Sequence, residues 1–192
     1  EIYENKTTST VIASINLNLA NNIKTIIESN KFKIYLSEDI IGVELGGALK
    51  NVFAIGAGIC DGMKVGDNAK AAFITRGLAE MVRLSSAAGG NPLTIAGLAG
   101  MGDMIATCYS ELSRNRTVGF KLASGMELNN LLKSMNQVAE GVGTTAAVVD
   151  LSNRLKVDMP ITKCTYGILY ENLSIKAAMS GLLGRDPASE WN

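Results

Sequence analysis

Apolar positions change their period along this chain. Residues 8–14 (TSTVIAS) are short, β-branched and apolar, residues 17–29 carry helical spacing at Leu19, Ile23, Ile26 and Ile27, and residues 32–36 are again strand-like. The opening therefore reads strand, helix, strand. Two strands cannot bury both faces of a sheet, so this piece is expected to be the tail of a larger α/β sheet whose other strands lie upstream. From Ser37 onward strand signals stop, and stretches of helical spacing follow one another between Gly and Pro breaks.

Helices are predicted over residues 39–58, 68–88, 93–99, 113–124, 127–135, 144–155, 161–170 and 174–183. The expected fold is mainly α: an all-helical domain over residues 37–192, preceded by a strand-helix-strand remnant of an α/β sheet over residues 1–36. The first long helix sets Val43, Gly47, Asn51 and Ala54 along one stripe with Lys50 beside Asn51. Its many Gly and Ala residues allow close approach of another helix or of a ligand. The uncharged run over residues 84–102 does not read as a membrane span, because Gly89, Gly90, Asn91 and Pro92 interrupt it. No internal repeat or low-complexity linker is present.

Composition narrows the chemistry. With 192 residues and 47% hydrophobic side chains, the chain can bury one substantial core. Lys plus Arg and Asp plus Glu balance at 18 each, so there is no basic surplus for nucleic acid or anionic lipid, and neither is expected as a partner. The absence of histidine removes imidazole bases, serine and cysteine triads and His-ligated zinc, leaving Lys, Asp, Glu, Tyr or Cys for proton chemistry. Cys60, Cys108 and Cys164 form no CxxC pair and no even framework, which points to a reducing cytoplasm; no metal site is expected. A start at Glu1, with neither an initiator methionine nor a signal sequence, suggests a fragment or processed product.

Four segments could carry chemistry. Gly56–Gly62 (GAGICDG) has the wrong spacing for a dinucleotide loop and ends a helix where that loop would need a preceding strand, so it reads as a helix C-terminus and turn. Residues 100–116 (GMGDMIATCYSELSRNR) gather Asp103, Thr107, Ser113, Arg114, Asn115 and Arg116 in an apolar region. Ser113 is a plausible N-cap, and a positive helix end beside a forked guanidinium would hold a phosphate or carboxylate; a capped surface helix with solvated arginines is the alternative. Lys50 is either a proton-exchanging or oxyanion-stabilising lysine in an apolar pocket, or a lysine snorkelling from the edge of a buried helix. Residues 137–145 (QVAEGVGTT) read as a loop between helices with Glu140 as a possible acceptor for ligand hydroxyls, or simply a solvated glutamate, and Asp61, Asp67 and Glu80 read as surface or capping charges.

At these residues the sequence resembles the C-terminal half of bacterial glycerol-3-phosphate dehydrogenases: IGVELGGALKNVFAIGAGICDGMKVGDNAKAAFITRGLAEM, then GLAGMGDMIATCYSELSRNR, then VAEGVGTT and DMPIT. The likeness runs from the first strand to about Leu183, and the motifs together are far more specific than any one of them. It implies the helical substrate domain of a 6-phosphogluconate-dehydrogenase-like reductase, with a Rossmann half preceding it. It further implies that Lys50 gives and takes the proton at the substrate carbonyl, that Asn51, Asp103, Thr107, Ser113, Arg114 and Asn115 bind the substrate, and that Arg114, Val138 and Glu140 contact the nucleotide.

The implied reaction is reversible reduction of dihydroxyacetone phosphate to sn-glycerol 3-phosphate, serving phospholipid synthesis. The implied cofactor is NAD(P)H, with most of its binding site, including whatever distinguishes NADH from NADPH, in a half that would precede Glu1. Alone, the chain is expected to be inactive and to bind nucleotide weakly. The rival readings are another reductase of the same build, of hydroxyacyl-CoA or ketopantoate type, and a non-catalytic helical dimerisation module. The missing histidine disfavours the first type and the SRNR segment the second, while a homodimer is compatible with the dehydrogenase reading too.

Overall fold

A computed structural model of the chain describes residue 4, residues 6–135 and residues 137–185. Residues 1–3, 5 and 186–192, which belong to the ends of the two predicted domains, lie outside the described residues, as does residue 136.

The opening follows the predicted order. Strand β1 (Thr8–Ala13), helix α1 (Leu17–Ile27) and strand β2 (Phe32–Ser37) succeed one another, and the strands pair in parallel with Thr8 opposite Phe32 and Ala13 opposite Ser37. Helix α1 starts where Asn16 accepts a hydrogen bond from the Leu19 N–H at 3.0 Å, a side-chain cap for one of the free donors of the first turn. The unit leaves apolar groups uncovered: Ile15 and Ile26 are 81% and 80% exposed, and Tyr35 stands 55% exposed on β2. A two-stranded sheet with such a surface is marginal alone, as the periodicity argument anticipated.

The remainder is built around one helix, α2 (Ile40–Gly62), on which α3 (Asp67–Ala87), α5 (Asp103–Tyr109), α6 (Arg114–Ala123), α8 (Glu140–Leu155) and α9 (Pro160–Tyr170) pack. Shorter helices α4 (Pro92–Ala96), α7 (Leu128–Ser134) and α10 (Ile175–Leu183) complete the fold. Leu49, Val52, Phe53, Ala54, Ile55 and Ala57 of α2 are wholly buried, so apolar groups ring the middle of the helix. It is long and apolar enough to cross a membrane, yet most of its apolar window lies inside the protein as the hub of a core. Asp39 caps it, accepting from the Gly42 N–H and from the Asn91 N–H, both at 2.8 Å, and so ties its start to the turn before α4.

The closest packing is between α2 and α6. Asn51 faces Asn115, the Ile55 carbonyl faces Gly119, and Gly62 faces Ala123, so the two helices run in the same direction. A Cβ on Gly58 would collide with the Arg116 carbonyl oxygen, and one on Gly119 with that of Ile55. Of the glycines of GAGICDG, Gly58 and Gly62 therefore serve close packing on α6, while Gly56 makes room for the Phe73 ring.

Three predictions need correction. The helix predicted over residues 93–99 ends at Ala96; a π-helical turn, Leu98–Gly102, follows and feeds α5, which was not predicted. Small residues there blurred the period, and Gly100 lies so close to Ile95 that no side chain fits. The segment over residues 137–145 is a loop only to Ala139, because α8 begins at Glu140 and not at Thr144. Gly141 and Gly143 weaken the helical signal, but Gly141 packs on the Asn51 carbonyl, 2.6 Å from where a Cβ would sit. Glu80 is a capping charge, as one reading had it, but it is no surface group. From α3, and only 1% exposed, it accepts from the Ile161 N–H at 2.5 Å and from the Thr162 N–H and Oγ1 at 3.1 and 2.9 Å, capping α9, whose own Met159 offers no cap. Burial pushes its carboxyl up to about 7, while these hydrogen bonds pull it the other way.

Candidate active site

Lys50 and Asn51 sit side by side in the middle of α2 and face two different partners. The Lys50 ammonium donates to Asp103 Oδ2 at 2.5 Å, with the two side chains 23% and 39% exposed. Asp103 opens α5, and one turn on Thr107 donates from Oγ1 to the Asp103 carbonyl at 2.6 Å. Neither earlier picture of Lys50 holds in full: its head is not in an apolar pocket, and it does not merely reach for water, since it ends on a carboxylate at a half-open surface. Such a cation is placed to give a proton or to meet a developing oxyanion.

Asn51 and Asn115 are almost fully buried and satisfy each other. Asn115 donates from Nδ2 to Asn51 Oδ1 at 2.9 Å and accepts from the Gly141 N–H at 2.9 Å. One amide thus joins α2, α6 and the start of α8, and buried polar groups with all partners present hold helices in one register.

Ser113 caps α6 as predicted, its hydroxyl accepting from the Arg116 N–H at 3.3 Å. The two arginines of SRNR then part company. Arg114 is exposed and donates from Nη1 to Gln137 Oε1 at 2.9 Å, whereas Arg116 donates from Nε to Asp61 Oδ2 at 2.6 Å. Asp61 also receives Lys70 at 2.8 Å, and Lys70, 5% exposed, lies 4.2 Å over the Tyr109 ring. Asp61 is therefore the anion of a largely buried ion cluster and not a surface charge. Arg114 is the arginine whose guanidinium faces solvent beside the positive end of α6, where it could pair with an anion.

The segment after Gln137 completes the face. Val138 is 75% exposed, and Glu140 is exposed in the first turn of α8. The structure thus brings Lys50, Asp103 and Thr107 into one cluster, Asn51 and Asn115 into a second beside it, and Arg114 against Gln137 in the loop that carries Val138 and leads into Glu140 of α8. A broad groove along Ser37, Asp39, Gly90 and Asn91 includes none of these residues. Sequence reasoning missed Gln137, Gly141 and Lys70. Gln137 and Gly141 lay inside a quoted motif, but nothing in their spacing pointed to Arg114 or Asn115.

Comparison with known proteins bears on this arrangement. Residues 39–180 match the family described as NAD-dependent glycerol-3-phosphate dehydrogenase C-terminus. A glycerol-3-phosphate dehydrogenase [NAD(P)+] of Prosthecochloris aestuarii is 52% identical over 183 residues, covering 95% of this chain and 55% of its own length. That of Geobacter metallireducens is 48% identical over 190 residues, covering 99% of this chain and 57% of its own. The crystal structure of glycerol-3-phosphate dehydrogenase from Coxiella burnetii superposes with a TM-score of 0.93 at 40% identity, over 96% of this chain and 57% of that one. The chain spans little more than half the length of these relatives, and it belongs to the family of NAD-dependent glycerol-3-phosphate dehydrogenase C-terminal domains.

Proposed function

We propose that this chain carries the substrate half of the active site of an NAD(P)-dependent glycerol-3-phosphate dehydrogenase, an enzyme that reversibly reduces dihydroxyacetone phosphate to sn-glycerol 3-phosphate for phospholipid synthesis. The observation that supports it best is the Lys50–Asp103 ion pair beside the Asn51–Asn115 amide bridge, whose Asn115 directly follows the exposed Arg114 at the N-terminus of α6.

A nicotinamide bound against this face would supply the hydride to C2 of the ketone. As charge grows on the C2 oxygen, Lys50 delivers its proton there, so that the carbonyl leaves as an alcohol; in the reverse direction Lys50 takes that proton back. Asp103 holds the ammonium on target, and Thr107 fixes Asp103. Arg114 and the start of α6 grip the phosphate away from the reacting carbon, with Ser113 and Asn115 shaping that turn. Exposed Arg114, Val138 and Glu140 fit one edge of a dinucleotide and no more, which agrees with a nucleotide held mainly by residues preceding these. On this reading residues 1–36 end a nucleotide-binding domain and residues 37–192 form the substrate domain. The enzyme would work in the cytoplasm, consistent with three free cysteines, and pairing of two copies is compatible with the site.

The test is NADH oxidation with dihydroxyacetone phosphate, comparing this chain alone with the chain joined to the upstream part of a relative such as that of Prosthecochloris aestuarii. Activity in the joined protein alone is the expected result. A joined protein that folds, binds NADH and leaves the ketone untouched would refute the reading.

A further inference from the structure

We propose that Asp61 is a positioning residue for the phosphate end of the site, acting through Arg116 and Lys70 without touching any ligand; the proposal rests on the functional reading above. Its carboxylate accepts from Arg116 Nε at 2.6 Å and is paired with Lys70 at 2.8 Å, and Lys70 in turn sits 4.2 Å over the Tyr109 ring. Three elements meet at this anion, the end of α2, the start of α3 and the first turn of α6, and Lys70 links it to a fourth, the last residue of α5.

The placement matters because of what those elements carry. Helix α5 brings Asp103 and Thr107, the first turn of α6 holds Arg114 and Asn115, and α2 carries Lys50 and Asn51. Residues 110–113 link α5 to α6, and the ion cluster pins this link at both sides, through Tyr109 before it and Arg116 after it. Gly58 lets the Arg116 backbone lie directly on α2, and the Asn51–Asn115 bridge and the Asp61–Arg116 pair hold the first turn of α6 from two sides, so losing the pair leaves that turn held from one side only. Asp61 thereby sets the distance between the group that holds the phosphate and the group that meets the carbonyl, and a misplacement of about 1 Å can cost on the order of a hundredfold in rate.

Charge alone predicts the opposite. Asp61→Asn removes one negative charge near an anion site, which through simple electrostatics would tighten phosphate binding. It also leaves Lys70, 7% exposed in its side chain, as a buried cation without a carboxylate, a state strongly disfavoured and relieved only by movement. The sign of the effect on phosphate recognition therefore separates positioning from mere charge.

The experiment uses the joined dehydrogenase and compares kcat/KM for dihydroxyacetone phosphate with that for dihydroxyacetone, which lacks the phosphate. Asp61→Asn should lower kcat/KM for the phosphate ester by about ten- to a hundredfold, chiefly through KM, and change that for dihydroxyacetone by less than about threefold. Arg116→Lys, which keeps a cation for Asp61, should retain most of the discrimination. Should Asp61→Asn fail to fold, Asp61→Glu, which keeps the charge and displaces it from Arg116 and Lys70, should show the same selective loss, where charge alone predicts no change. Equal losses on both substrates, or tighter use of the phosphate ester, would overturn the proposal. A wild-type joined protein with no activity towards the phosphate ester would overturn the functional reading, and this proposal with it.

Discussion

Replacing Glu80 with alanine removes the cap of a helix that Glu80 does not belong to. The Ile161 and Thr162 N–H groups and the Thr162 hydroxyl lose their acceptor where the glutamate is 1% exposed. Each buried donor left unpaired costs about 1–3 kcal/mol, and neighbouring losses do not add in full, so the whole change should cost about 3–5 kcal/mol when the native carboxyl is neutral. The cost depends on pH. Burial pushes the folded-state carboxyl up to about 7 from an ordinary value of 4.5, so between these limits the native state keeps a proton that the unfolded state has released. Stability from this group is complete below about pH 4.5 and is lost as pH rises through about 7, a fall of roughly 3 kcal/mol at 1.36 kcal/mol per unit. Urea unfolding of wild type and Glu80→Ala should therefore differ by about 3–5 kcal/mol at pH 5 and by about 2 kcal/mol or less at pH 8. A difference that stays constant or grows between those pH values would refute the reasoning.

Two glycines on different surroundings should respond with opposite signs. Gly119→Ala drives a Cβ into the Ile55 carbonyl and should cost about 1–3 kcal/mol or more, while exposed Gly143 in α8 has open space around it and Gly143→Ala should gain about 0.5–1 kcal/mol; thermal unfolding reads both. Asn115→Ala leaves Asn51 Oδ1 and the Gly141 N–H without a partner and should cost about 1–3 kcal/mol, seen as a lower urea midpoint. Arg114→Ala should change stability by less than about 0.5 kcal/mol, because the side chain is exposed, yet raise KM for dihydroxyacetone phosphate strongly in the joined protein.

The sequence was informative where one local rule acted alone. The strand-helix-strand opening, the Ser113 cap and the central apolar helix follow from period and capping chemistry, and the structure contains all three. The π-helical turn and α5 were not legible, because runs such as GLAGMGD carry too few bulky residues to show a period, and Gly100 is there for its close approach to Ile95. The start of α8 was hidden for a related reason: Gly141 looked like a loop residue until its contact with the Asn51 backbone was known. Asp61 and Glu80 illustrate the larger limit. Their partners lie 55 and 81 residues away in sequence, at Arg116 and Ile161, and no periodicity encodes such pairs. Lys50 and Asp103 were proposed for one site on the strength of a resemblance, and the ion pair between them is a fact of the fold.

On the reading proposed above, Lys50 handles the proton at the substrate carbonyl. Its most direct test is the steady-state kinetics of Lys50→Ala in the joined protein, with NADH and dihydroxyacetone phosphate. The expected kcat is lower by about two to four decades with a far smaller change in KM, as for other general acid–base groups. A kcat within about tenfold of wild type would mean that a group other than Lys50 delivers the proton.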